Sequence, residues 1–286
     1  MNKLGVHVSI AIRGFLMGIA GIIPGVSSGT VAVIVKIYDR IILNVDKVIK
    51  SRFRDWQALS FLLLVYGGNF AALFTLASTM ENLLEVYPTL MRIFFMGLIV
   101  GSLPIIILKT TESAEKRFTV GTTLAFFLSL TFIVGLNILT STDIEAAPIT
   151  TLTFGNSFLI FFTGLIASAT AIIPGVSGSM MQLAIGMYPT FVNALSTVNV
   201  PILIVLIAGM FFGLIGAARL IGYLLRRYYQ ITYFTIIGLL VGSIYQIWPT
   251  RLDLELPSIF SMGLVFIFGF ILAFGSHLFD RFKKKA

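Results

Sequence analysis

Ile22-Ile23-Pro24-Gly25-Val26-Ser27 is repeated letter for letter at Ile172-Ile173-Pro174-Gly175-Val176-Ser177, 150 residues further along the chain. Because proline ends a helix and glycine permits a tight turn, each copy predicts two helical segments joined at the Pro-Gly pair. Matches on both sides of the hexapeptide pair Gly14 with Gly164, Tyr38 with Tyr188, and Gly97-x-x-x-Gly101-Ser102 with Gly238-x-x-x-Gly242-Ser243. These pairs predict a chain made of two copies of one unit.

The composition is that of a membrane protein. Of the 286 residues, 57% are hydrophobic and only 11% are charged, and the mean hydropathy is +0.99. The charges lie in short loops between long apolar runs, so the net charge of +8 is an orientation signal and we expect no nucleic-acid partner. The sequence has no cysteine, which excludes disulfides and thiolate metal sites, and we expect no bound metal.

The apolar runs predict an all-α polytopic membrane protein in which each copy is a helical hairpin plus three transmembrane helices. The first copy spans 1–150, with a hairpin at 5–38, an interfacial helix at 40–56 and transmembrane helices at 57–78, 88–108 and 118–138. The second copy spans 151–286, with a hairpin at 155–188 and transmembrane helices at 200–222, 231–248 and 257–278. Each copy crosses three times, so the two are expected to be inverted repeats, an architecture of secondary transporters.

Basic residues predict the orientation. If each hairpin returns to the side from which it enters, fourteen basic residues fall on one side and only Arg92 and Arg251 on the other. Because cytoplasmic loops are rich in Lys and Arg, we expect both termini in the cytoplasm. The fourteen are Lys3, Lys47, Lys50, Arg52, Arg54, Lys109, Lys116, Arg117, Arg226, Arg227, Arg281, Lys283, Lys284 and Lys285.

Arg13 favours a re-entrant first hairpin over two full spans. It precedes Pro24 by eleven residues, about 16 Å along a helix. With the turn near the bilayer midplane its guanidinium reaches the interface, whereas a full span would place it in hydrocarbon at a cost of several kcal/mol. Residues 40–56 then form an amphipathic surface helix whose lipid-facing side chains are Ile41, Ile42, Val45, Val48 and Ile49.

The two turns predict an anion site. Re-entrant backbone leaves N–H groups unpaired, and the start of the following half-helix presents N–H groups and hydroxyls together. Two such turns meeting near the bilayer centre would suit a phosphate or carboxylate. The alternative is that the serines only cap half-helices and the glycines only allow packing. The predicted binding residues are Gly25, Ser27, Ser28, Gly29, Thr30, Gly175, Ser177, Gly178 and Ser179.

Other polar residues are accessory candidates. A basic side chain near a segment end either neutralises a travelling phosphate or extends to the interface, and a polar side chain at hydrocarbon depth must find a partner or line a polar path. The glycines of the two Gly-x-x-x-Gly motifs are better explained by helix packing. The accessory candidates are Arg13, Asn69, Arg92, Gln182 and Arg219.

The first motif, from Arg13-Gly14 through Pro24-Gly25-Val26-Ser27 to Ile37-Tyr38, resembles the polyprenyl-phosphate transporter family, as does the second-half sequence from Ala171 to Tyr188. The resemblance covers essentially the whole chain. It implies a translocase in the bacterial cytoplasmic membrane that returns undecaprenyl phosphate, the lipid carrier of cell-wall precursors, for reuse. The family commonly has an acidic residue where Gly21 stands and glycine where Ser28 stands, which leaves coupling to protons open.

Two other functions remain open from the residues alone. Undecaprenyl-diphosphate phosphatases pair similar hairpins, but hydrolysis needs a base and acidic groups, and the two turns contain no Arg, His, Asp or Glu. We therefore expect no catalytic residues and no cofactor. A carrier of small soluble anions would share the anion site without needing a lateral opening to lipid. The expected partners are the polyprenyl-phosphate substrate and membrane lipids, and the oligomeric state is not predicted.

Overall fold

The computed structural model describes residues 3–22, 27–111, 119–140, 147–249 and 256–285, and within them every regular element is a helix. This confirms the predicted all-α class. The helices are α1 Lys3–Ile22, α2 Ser28–Ile34, α3 Tyr38–Lys50, α4 Trp56–Val86, α5 Pro88–Thr111, α6 Val120–Thr140, α7 Phe154–Ile172, α8 Gly178–Ala184, α9 Tyr188–Ser196, α10 Val200–Arg227, α11 Tyr229–Gln246 and α12 Leu256–Lys285.

Four of the described helices are long and apolar enough to cross a membrane: Pro88–Leu108, Val120–Ile138, Phe154–Ile172 and Val200–Arg227. Two shorter apolar helical stretches occur at Leu4–Ala20 and Ile259–Gly275. A stretch of about 20 apolar residues matches the thickness of the hydrocarbon core. The chain is therefore a multi-pass membrane protein, as its composition predicts.

The helix order of the first half recurs in the second, with a long helix, two short ones and three long ones in each. The most extensive packing is between α1 and α4, α7 and α10, α5 and α12, and α6 and α11. Gly14 meets the Val65 carbonyl in the first of these pairs and Gly164 meets the Leu206 carbonyl in the second, and a methyl group at either glycine would overlap that oxygen. The two glycines paired by sequence thus make corresponding contacts.

The glycines of the Gly-x-x-x-Gly motifs lie at helix contacts, which confirms their predicted packing role. Gly97 and Gly101 bring α5 against the main chain of α12 at Phe266 and Phe270. In the second copy of the motif, Gly238 lies against α6 in the same way. Small residues let two helix backbones approach closely where lipid supplies no hydrophobic drive for association.

Helix α3 differs from the predicted surface helix at 40–56. It ends at Lys50, and Ile41, Ile42, Val45 and Val48 are all buried rather than turned to lipid. The side chain of Ile42 lies beside Gly222 of α10, and α3 packs on both α10 and α4. The prediction of lipid contact was wrong because an apolar stripe has the same period whether lipid or another helix covers it.

Candidate functional site

The second Pro-Gly turn joins α7 to α8. Gly175 has φ +82°, a conformation that side chains with a Cβ rarely adopt. A Cβ on this residue would also lie 2.6 Å from the carbonyl oxygen of Leu239 in α11. Both facts explain why the turn requires glycine here.

The first Pro-Gly turn is described from Ser27 onward, and Gly25 lies outside the described residues. Ser27 is the N-cap of α2: its Oγ accepts a hydrogen bond of 3.1 Å from the N–H of Gly29. The capping role considered for the serines therefore holds for Ser27. Ser177, at the same place before α8, makes no such capping bond.

The two turns touch each other across the two halves of the chain. Ser27 Oγ donates to the carbonyl oxygen of Ile173 over 3.3 Å, and the N–H of Gly175 donates to Thr30 Oγ1 over 2.9 Å. Gly29 completes the contact, because a Cβ there would lie 2.7 Å from the carbonyl oxygen of Ile172. The structure thus brings four predicted site residues, Ser27, Gly29, Thr30 and Gly175, into one cluster.

Two further hydroxyls follow Gly175 in the second turn, on Ser177 and Ser179; together with Ser27 and Thr30 they form the hydroxyl cluster. Ser177 Oγ and Ser179 Oγ lie 2.8 Å apart, so one hydroxyl donates to the other and the second proton of the pair has no acceptor among the described residues. Thr30 Oγ1 accepts from Gly175, and within the same part of the chain its own proton also has no acceptor. Hydroxyls with protons to donate are suited to an oxyanion.

The hydroxyls are buried: Ser27 is 4%, Thr30 2% and Ser177 6% exposed. Ser28 is half-buried and donates to the Met17 carbonyl oxygen of α1 over 3.1 Å. Gly178 packs on α7, where a Cβ would lie 2.6 Å from a main-chain oxygen. An anion at the cluster would therefore be surrounded by protein, and it would replace some of the present hydrogen bonds.

The accessory candidates lie on five different helices. Arg13 Nη1 donates to the Val35 carbonyl oxygen over 2.9 Å, at the C-terminal end of α2 and so about 10 Å from the turn by helix rise. Its position there stabilises the negative end of α2. Asn69 is half-buried on α4 and Gln182 is buried on α8.

Arg92 and Arg219 lie on different helices. Arg92 Nη1 donates to the carbonyl oxygen of Trp248 over 3.2 Å, joining the start of α5 to the end of α11. Arg219 is exposed on α10. Within the described part of the chain neither guanidinium forms a hydrogen bond with the hydroxyl cluster, so the structure does not bring them to the turns.

A second polar cluster was missed by sequence reasoning. The hydroxyl of Tyr233 in α11 donates to both carboxylate oxygens of Asp39, at 2.8 and 2.9 Å. Asp46 forms ion pairs of 2.7 Å with Lys50 and 3.2 Å with Arg226 of α10. The signal was available, because Asp39 and Asp46 are seven residues apart and share the face of α3 that carries Ile42.

The ion pairs perturb Asp46. Burial alone would raise the pKa of its carboxyl group, but hydrogen bonds and charges from Lys50 and Arg226 outweigh burial, and the pKa is lowered from its usual value. Asp46 is therefore ionised at neutral pH. The cluster ties α3 of the first half to α10 and α11 of the second.

Comparison with known proteins identifies relatives over most of the chain. Residues 17–263 match the family described as VCA0040-like, undecaprenyl phosphate translocase-like. The chain is 30% identical over 256 residues to a polyprenyl-phosphate transporter of Vibrio cholerae serotype O1, covering 86% of this chain and 79% of that protein. It is 30% identical over 270 residues to a polyprenyl-phosphate transporter of Staphylococcus aureus, covering 92% and 93%. No solved structure matches the chain.

Proposed function

Because the chain belongs to the undecaprenyl phosphate translocase-like family, we propose that it carries undecaprenyl phosphate across the bacterial cytoplasmic membrane. The resemblance seen in the sequence motifs is confirmed by the family match and by both relatives. The single observation in the structure that carries the proposal is the contact between the two Pro-Gly turns, with Ser27 bonded to Ile173 and Thr30 to Gly175. Return of the spent carrier to the cytoplasmic leaflet accords with the family description.

The proposed architecture is a pair of inverted repeats, 1–150 and 151–286, each with a re-entrant hairpin. Packing of the hairpins supports it. Gly14 and Gly18 meet the carbonyls of Val65 and Asn69, so α1 runs beside the first part of α4 and ends while α4 continues for roughly 10–20 Å. A first turn that stops short of the end of α4 is expected for a hairpin that enters and returns on one side. With such hairpins, the distribution of basic residues in the loops favours both termini in the cytoplasm.

The proposed substrate site is the hydroxyl cluster of the two turns. A bare phosphate in hydrocarbon has a Born cost of order tens of kcal/mol. Hydroxyl protons from Thr30 and the Ser177–Ser179 pair replace part of its hydration, and the serines that now bond carbonyls, Ser27 and Ser28, are further donors. Gly29, Gly175 and Gly178 allow the close backbone packing that forms the proposed site, and Gly25 belongs to the proposed site by its place in the repeated motif. Rocking of one repeat against the other would alternate access from the two sides.

We propose transport without hydrolysis and without a bound cofactor. The sequence of the two turns offers no side chain that would act as a general base for attack on a phosphate. Among the described residues there is no group of three or more His, Asp or Glu side chains that would hold a metal ion. Both matched relatives carry the name of a transporter.

Transport by proteoliposomes tests the function and the site together. The purified protein is reconstituted, and the arrival of polyprenyl phosphate in the opposite leaflet is followed with an impermeant reagent. The Ser27→Ala, Ser177→Ala double variant should be slower by more than about tenfold, since each lost bond to a charged group is worth about 1.5–3 kcal/mol.

The matched control is the Ser102→Ala, Ser243→Ala double variant. These serines are equally buried, at 1% and 2% exposure, but each bonds a carbonyl of its own helix, Ile99 or Leu240. The control should transport at the wild-type rate. Wild-type transport by the Ser27, Ser177 variant would disprove the site, and no transport by the wild-type protein would disprove the function.

A further inference from the structure

An apolar crevice of 340 Å³ opens between the α1/α4 helix pair and the α5/α12 pair. Ile19 of α1 and Val265 of α12 form two of its walls, and the end of α4 and the start of α5 form the others. The remaining lining residues are Leu83, Tyr87, Leu90, Met91, Phe94 and Phe95. Of these side chains only Tyr87 carries a polar atom, so the crevice suits a hydrocarbon group.

The crevice lies next to the hydroxyl cluster. Helix α2, which carries Ser28 and Thr30, packs on α1 and on α5, and both of these helices line the crevice, through Ile19 and through Phe94 and Phe95. A molecule with a phosphate at the turns and an apolar chain leaving them along α1 and α5 would meet the crevice. The two features together have the chemistry of one amphiphile.

A basic side chain lies at the same end of α5. Arg92 follows the crevice residue Met91, and its guanidinium donates to the carbonyl oxygen of Trp248. Among the residues that the structure describes, no carboxylate forms an ion pair with it. Tyr87 and Trp248 are each 52% exposed, and aromatic side chains of this kind mark the membrane–water interface. An anionic headgroup at that interface would thus find positive charge beside an apolar crevice.

The other end of the helix bundle, where α11 begins, is covered by α3. Tyr233 precedes Gly238 by the same number of residues as Arg92 precedes Gly97, so the two residues hold matching positions in the repeat. The hydroxyl of Tyr233 bonds Asp39, and α3 therefore covers this position. The helix α9, which follows the second hairpin as α3 follows the first, packs on α8 and α10 and makes no extensive contact with α4 in the described part of the chain. The crevice therefore opens at the end opposite to α3.

We propose that this crevice binds the isoprene units nearest the phosphate of the polyprenyl phosphate, and so selects a lipid with a single branched apolar chain. This rests on the proposed function. An apolar cavity of about 150 Å³ holds a benzene molecule, so 340 Å³ has room for about two five-carbon units. The phosphate meets Arg92 first and then moves to the turns.

Cysteine protection tests the crevice. The chain has no cysteine, so Val265→Cys introduces a single thiol into the crevice, and Ile267→Cys introduces one on the 53% exposed, outer side of the same helix. Each variant in proteoliposomes is labelled with an apolar thiol reagent, alone and with polyprenyl phosphate, phosphatidic acid or inorganic phosphate. We expect polyprenyl phosphate to slow labelling at position 265 by about tenfold and to leave labelling at position 267 unchanged. A tenfold effect corresponds to the free energy of burying a few methylene-sized groups in the crevice.

Two labelling results would overturn the inference. Equal protection by phosphatidic acid would show a crevice for lipid chains in general, and absence of protection in a variant that still transports would show that the chain passes elsewhere. Either outcome leaves the proposed function standing, because transport is measured on the same proteoliposomes. Val265→Trp, which fills the crevice, should slow transport about tenfold, whereas Ile267→Trp should not; equal rates would also exclude the crevice.

Discussion

The hydroxyl of Tyr233 lies between the two carboxylate oxygens of Asp39, 2.8 and 2.9 Å away, although 194 residues separate them in sequence. The bond joins the start of α3 to α11, and Tyr233 is only 2% exposed. A hydrogen bond to a charged group is about twice as strong as one between neutral groups. The contact therefore helps to hold α3 against the second half of the protein.

Tyr233→Phe should lower the stability of the protein. The change removes the hydroxyl and leaves the Asp39 carboxylate without this donor, which costs about 1.5–3 kcal/mol. We expect a lower midpoint of thermal unfolding in detergent. Tyr223→Phe, at a tyrosine that is 53% exposed, is the control and should unfold like the wild type; equal midpoints for both variants would argue against the role of the contact.

Asp46 should make stability depend on acidity. Its pKa is lowered in the folded protein, so its contribution is fully present above the ordinary carboxyl pKa of about 4 and is lost as pH falls through the lower folded value. Its partners Lys50 and Arg226 are 65% and 49% exposed, so the contribution is below about 1 kcal/mol. Unfolding midpoints of wild type and Asp46→Asn should differ at pH 7 and converge below about pH 4. A constant difference across this range would contradict the prediction.

Thr30→Val tests the contact between the turns. Valine has nearly the same shape but leaves the Gly175 N–H without an acceptor, at a cost of about 1–3 kcal/mol. We expect a lower unfolding midpoint together with slower transport. Thr110→Val is the control, because Thr110 is as buried as Thr30 but donates to Ile107 of its own helix. An equal loss of stability in both variants would show that the bond between the turns contributes no more to stability than the bond of Thr110 within its own helix.

Arg92→Gln should slow transport most when substrate is scarce. The guanidinium attracts the phosphate at the interface, so its loss raises the substrate concentration needed for half-maximal transport, by roughly tenfold for about 1.4 kcal/mol. Arg92→Lys retains the charge and should keep most of the activity. Arg219→Gln, at an exposed position on α10, is the control; equal effects at both sites would show that only the net charge matters.

The sequence predicts the helices well and the contacts poorly, for a physical reason. Apolar length and Pro-Gly turns place segments such as 88–108 and 118–138 within a few residues of α5 and α6. The same pattern says nothing about what covers an apolar face, so the burial of Ile42 against α10 was missed. The repeated hexapeptide predicts that the turns matter, but the bond between Thr30 and Gly175 depends on how four helix pairs assemble.

The bonds between the two turns also bear on what crosses the membrane when no substrate is present. A membrane transporter must not leak protons, and a continuous chain of hydrogen-bonded water molecules through its centre would conduct them. Ser27 and Thr30 instead satisfy main-chain groups of Ile173 and Gly175 directly, so these groups do not require water. These two bonds therefore close the contact between the turns, and under the proposed function the arriving phosphate would have to displace them.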